Sequence, residues 1–105
     1  MDKNEAIKIA KKYISNLLER YAIEKAYLYG SYAKGTNHAQ SDIDLAIVLN
    51  SGSDIIDLQV DLMQMRTDDH LMIEPHPFRK EDFNINNPVV AEILKEGIEI
   101  DNYAA

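Results

Sequence analysis

The chain has 105 residues, 46% of them apolar and 28% charged, which suits one globular domain with a real core and argues against disorder. With no cysteine, disulfide staples, thiolate catalysis and cysteine-ligated zinc are excluded, and any metal must be held by oxygen or imidazole. The formal net charge of −7 is uneven: residues 1–41 carry seven Lys/Arg against four Asp/Glu, and residues 42–105 carry four against fourteen.

That acidic second part repels a phosphate backbone, and no Lys/Arg cluster or interleaved aromatic stripe offsets it, so no broad nucleic-acid surface is expected. The first five residues lack a signal peptide's apolar stretch, and no run approaches the roughly 18 apolar residues of a bilayer span. The expectation is a single domain over 1–105, cytoplasmic and without membrane contact. Self-association is left open.

Ala6, Ile7, Ala10, Tyr13, Ile14, Leu17, Leu18 and Tyr21 recur at spacings of three and four, which predicts an amphipathic helix over about 4–21. Residues 26–29 read as a short strand stopped by Gly30-Ser31, and 31–34 have room for one helical turn before Gly35. The clearest strand is 42–49, with Ile43, Leu45, Ile47 and Leu49 on one face and Asp42, Asp44, Ala46 and Val48 on the other. Ser53 or Asp54 is placed to cap a helix through about 66, with Ile55, Leu58, Leu62 and Met65 on its core line.

A third strand is expected from 69 or 70 to 74, where Pro75 and Pro77 end regular pairing or confine it to a sheet edge. Asn87 and Pro88 open a last helix that stops at Gly97, and 98–101 has the pattern of a short edge strand. This order predicts an α/β (α+β) fold, a small mixed sheet with helices on one face and the other face partly open.

The chemistry is concentrated between Gly30 and Asp44. Gly30 lets the backbone turn directly after a strand without a side chain obstructing a ligand, and turn amides with the Ser31 hydroxyl can donate to phosphate oxygens. Gly35 either stops the following turn or allows close approach. Asp42 and Asp44, two apart on a strand, share a face about 6–7 Å apart at the backbone, so their carboxylates can converge on divalent cations. Magnesium suits such an all-oxygen site, and manganese can substitute.

Gly30-Ser31, Gly35 and Ser41-Asp42-Ile43-Asp44 together resemble the signature of the minimal nucleotidyltransferases of the DNA polymerase beta superfamily, over nearly the whole chain. The resemblance implies a palm-like fold, nucleoside triphosphate bound through Gly30 and Ser31, metal held by Asp42 and Asp44, and a third carboxylate from a later strand. Glu74 is the choice for that third acid, because it projects opposite Leu71 and Ile73. Asp68 and Asp69 compete but are expected at the far end of the strand.

Of the remaining polar residues, Lys34 is equally suited to neutralising a phosphate and to solvent, and Ser41 to bracing the loop beside the site. His38 and His76 read as surface residues; Tyr27, Tyr29 and Tyr32 read first as packing residues, with Tyr32 the best candidate among them for base stacking.

The reaction implied is metal-dependent transfer of a nucleoside monophosphate, AMP from ATP, to a hydroxyl of a protein or small molecule. Stand-alone members resemble the antitoxin half of prokaryotic modules whose partner is a HEPN-domain ribonuclease. The alternative is a catalytically weak binding module that neutralises a partner through a surface including Ile85, Val89, Val90 or the tail.

Overall fold

In the computed structural model, residues 1–50, 54–68 and 71–101 are described. The order is α1 (Lys3–Leu17), β1 (Ile23–Tyr29), α2 (Ser31–Lys34), β2 (Ile43–Leu49), α3 (Ile55–Gln64), β3 (Ile73–Arg79), a 3-10 turn (Lys80–Asp82), α4 (Pro88–Glu96) and β4 (Ile98–Glu99). The sheet runs β3-β2-β1-β4; β2 pairs antiparallel with β1 and parallel with β3, and β1 pairs antiparallel with β4. Three positions named from the sequence, the Ser53 cap, Asp69 and His70, lie outside the described residues.

The helices start where the sequence can cap them. Asp2 accepts from the Glu5 amide, Asp54 from those of Ile56 and Asp57, and Asn87 from that of Val89 with Pro88 at the first turn. α1 is shorter than its periodicity predicts. Tyr21 lies beyond it, and its hydroxyl donates to Asp61 of α3, which Arg20 also approaches at 3.3 Å.

The core lies on one face of the sheet. Ala6, Ala10, Tyr13, Ile14 and Leu17 of α1 and Leu58 and Leu62 of α3 pack on Leu28, Ile43, Leu45, Ile47, Leu49 and Ile73. Each fully buried Leu or Ile contributes about 1.5–3 kcal/mol. The Tyr13 hydroxyl, whose ionisation burial pushes well above the usual range, donates to the Leu62 carbonyl at 2.6 Å and ties α1 to the end of α3. The palm-like architecture that the resemblance implies is present, with one addition: Ile93 of α4 packs against Tyr27 and Ala46 on the second face. That face is thus covered at its α4 side and open at its acidic end.

Two strands are longer than their sequences suggest. β1 begins at Ile23, where it pairs with Leu49 of β2, and β4 reaches only Tyr27 and Leu28 on its other side, so Glu24 and Lys25 stay exposed. β3 continues through both prolines, in register with Leu45 and Ile47. The Met72 carbonyl faces β2, where it accepts from Ile43 at 2.8 Å, so alternation turns the backbone polar groups of residues 73, 75 and 77 to the open edge. No N–H is needed there, and the outward carbonyls are capped from the α3 side: Arg66 donates to Leu71 and Ile73 at 3.0 and 3.1 Å, and Gln59 to Pro75 at 2.6 Å. Confinement to an edge, rather than an end to pairing, is what the prolines impose.

Candidate functional site

Parallel pairing of β2 and β3 sets Asp44 directly beside Glu74, and antiparallel pairing of β1 sets Tyr29 on its other side. Adjacent strands are about 4.8 Å apart, so in-register side chains on one face must meet. Glu74 is therefore at the start of β3 rather than at the end of a strand reaching back to 69, and it meets the aspartates because the two parallel strands begin together. Asp68 lies in an exposed turn before β3.

The acids repel one another. The Glu74 carboxyl is held above its ordinary range by partial burial, then by the charge of Asp42 and a hydrogen bond with it, and then by the charge of Asp44. The Tyr29 hydroxyl is likewise pushed up by burial and by the charges of Asp44, Glu74 and Glu92. Glu74 thus links Asp42 to a second grouping in which Asp44, Glu74 and His76 offer ligand atoms all within 4.8 Å of one another.

His76 belongs to this grouping and not to the bland surface expected from sequence. Its Nε2 is 3.5 Å from Asp44 Oδ1 and 4.0 Å from Glu74 Oε2, and its ring meets Tyr29 edge-on with centroids 5.6 Å apart. Two residues beyond Glu74 on the same strand, it shares that residue's face. The signal was in the sequence, and reading Pro75 as a terminator concealed it.

Gly30 has φ 74° and ψ −149°, a region essentially reserved for glycine. A Cβ there would sit 2.3 Å from Asp44 Oδ2. The turn is pressed onto the Asp44 carboxylate, a closer constraint than the open path for a ligand that the sequence suggested. Gly35, with φ 77° and nothing within 4 Å of where a Cβ would sit, serves as the left-handed stop of α2, its N–H bonded to the Ser31 carbonyl.

The first amides of α2, beside Ser31, have no intrahelical acceptor and suit phosphate oxygens. Ser41 braces the intervening loop: its hydroxyl accepts from the His38 amide at 2.8 Å, and its own amide donates to the His38 carbonyl at 3.0 Å. The His38 Nδ1 accepts from the Gln40 amide at 3.2 Å.

Lys34 pairs across to α4 with Glu92, and with Glu96 at 3.8 Å. Tyr32 is 1% accessible and packs in the core, which bears out its packing role and removes it as a base-stacking candidate; its place in the turn of α2 directs it under the sheet. Val90 is also buried, whereas Ile85 and Val89 remain 73% and 47% exposed.

A cation fits these residues. Carboxylates from neighbouring strands supply hard oxygen donors, a buried imidazole nitrogen beside them has no hydrogen-bond partner among the described residues, and the glycine turn leaves the space in front of Asp44 without a side chain.

A four-stranded palm with an acidic, metal-suited cleft beside a glycine-serine turn defines the class: a nucleotidyl-transfer domain. The chain belongs to the polymerase beta nucleotidyltransferase family, which it matches over residues 12–103. No curated protein sequence matches it.

Among solved structures, it is similar in fold to a protein from Sulfolobus solfataricus assigned as a nucleotidyltransferase, with TM-score 0.68, 16% identity, and 92% of this chain and 80% of that one covered. A toxin-antitoxin crystallised with AMP-PNP aligns with TM-score 0.57 and 21% identity over 90% of this chain and 80% of that one. A mutant of the toxin-antitoxin MntA-HpeT aligns with TM-score 0.59 and 20% identity over 99% and 82%.

Proposed function

We propose that this protein transfers a nucleoside monophosphate, AMP from ATP, to a hydroxyl of a partner protein, as the antitoxin of a HEPN-type module. The observation that carries this reading is the register that sets Asp44 beside Glu74, with Asp42 close enough to raise the Glu74 carboxyl's pKa. Similarity to toxin-antitoxin structures, one of them with AMP-PNP, supports the nucleotide and the protein partner. One of those relatives was crystallised with two aspartates replaced by glutamate at the same two-residue spacing as Asp42 and Asp44.

Asp42, Asp44 and Glu74 would hold magnesium, or manganese in its place. When bound, such a cation supplies a positive clamp for the triphosphate oxygens and lowers the acceptor's pKa. Gly30 and Ser31 hold the phosphate chain through α2 amides and the Ser31 hydroxyl, Gly35 fixes the turn, and Ser41 keeps the loop folded so that Asp42 follows it at the right place. The acceptor oxygen forms a bond to the α-phosphorus as the bond to the departing pyrophosphate breaks in line. Glu74 is the carboxylate placed to accept the acceptor's proton. Lys34 reaches a phosphate only by leaving Glu92 and Glu96. Ile85 and Val89 are the exposed apolar residues available to a partner on the α4 side.

Incubation with labelled ATP, magnesium and the product of the neighbouring gene tests this. Native protein should label the partner, and Asp42→Asn combined with Asp44→Asn should not. A tight complex with no transfer from any of the four nucleotides, with either metal, would establish a binding module instead.

A further inference from the structure

His76 carries a feature that the three-carboxylate reading leaves without a use. Its Nε2 is buried and has no hydrogen-bond partner among the described residues, although the side chain as a whole is 38% exposed. A buried imidazole nitrogen without a partner is costly to leave unsatisfied. The ring is not free to turn away at no loss, since Tyr29 packs against it edge-on and Pro75 and Pro77 fix the backbone on both sides.

The nitrogen is directed at the two in-register acids, 3.5 Å from one and 4.0 Å from the other. An octahedral cation with ligands at about 2.1 Å places neighbouring donors about 3 Å apart and opposite donors about 4 Å apart. The two separations from the imidazole fall in this span and all three donors lie within 4.8 Å of one another, so one ion can be reached by all three once the side chains draw in around it.

We infer that His76 is a nitrogen ligand of the site and sets its metal preference, selecting a first-row transition ion such as Mn2+ over Mg2+. This rests on the metal-dependent reading above and extends it. An all-carboxylate site has oxygen donors alone, which suit magnesium; imidazole strengthens binding of transition ions, and magnesium gains little from it.

The test uses Mn2+ alone, without nucleotide, so that no ligand nitrogen is introduced. Pulsed electron paramagnetic resonance of Mn2+-loaded protein should show coupling to a histidine nitrogen. It should persist in His38→Gln combined with His70→Gln, which leaves His76 the sole histidine. Calorimetry should give Mn2+ at least about tenfold tighter than Mg2+, and His76→Gln should lose about tenfold for Mn2+ while Mg2+ changes less than about twofold.

Absence of nitrogen coupling in the His76-only protein, or equal loss of both metals in His76→Gln, would overturn the inference. Because the readout is metal ligation, it is separate from transfer: failure of labelling with nitrogen coupling intact would remove the enzymatic reading and leave this one standing.

Discussion

The two faces of β2 and of Asp42 just before it are made from alternate residues of one short segment, yet they are governed by different physics. Ile43, Leu45, Ile47 and Leu49 are sealed between the sheet and two helices, where every removed methylene is felt. Asp42 and Asp44, facing the other way, join Glu74 in a cluster where their charges, after partial burial, hold the Glu74 carboxyl above its ordinary range. One face stabilises the fold, and the other gathers like charge that a bound cation would offset. The contrast teaches that alternate residues of one strand can serve packing on one side and gather acidic groups able to hold a cation on the other.

The largest effect should come from Asp44→Asn. Transfer should fall by about a thousandfold, since several kcal/mol of charge stabilisation are at stake, with the melting temperature in EDTA unchanged or higher. A melting temperature well below native would break the division between the faces. Leu45→Ala, one residue along, should do the reverse: urea unfolding should show a loss of about 2–5 kcal/mol, and residual transfer per folded molecule should be near native.

Gly30→Ala should affect both properties. The backbone strain costs about 1–3 kcal/mol, measurable by denaturation, and the new methyl displaces the Asp44 carboxylate, so divalent-metal affinity should also fall. Gly35→Ala, strained but without a clash, sharpens the comparison by lowering stability with less effect on metal binding.

Glu74→Gln gives the smallest shift and depends on pH. The folded-state pKa of Glu74 is raised, so in metal-free protein its ionised form disfavours folding above the usual value of 4.5 and has no such effect below it. The glutamine variant should therefore melt at or above native at pH 7.5 in EDTA, by about 1–3 °C for a half-exposed group, with the gap closing toward pH 4.5. Saturating metal should reverse the order.

Strand alternation made the two aspartates and their shared face legible in the sequence, and the capping residues Asp54 and Asn87 marked helix starts with little error. The glycine-serine turn was visible for the same reason, since few residues other than glycine tolerate its backbone. What escaped was set by neighbours. That Tyr32 is no candidate for base stacking is one case: a tyrosine is polar enough for solvent and apolar enough for the core, and only the direction of a four-residue helix decides between them.

His76 escaped because proline is a strand breaker locally, and its tolerance depends on which way each backbone group faces an edge that exists only after β3 pairs with β2. Lys34 likewise had no partner in sequence, since Glu92 and Glu96 lie on a helix more than fifty residues away.

The proline-bearing border of β3 has a last consequence. An unprotected strand border recruits further strands, from a second copy or from another chain. Here Pro75 and Pro77 withhold donors, and Gln59 and Arg66 already occupy the carbonyls between Leu71 and Pro75, so this side of the sheet resists growth by addition. An acidic cleft beside such a blunted border can remain open to solvent without inviting aggregation, and a protein that docks there must do so through side chains.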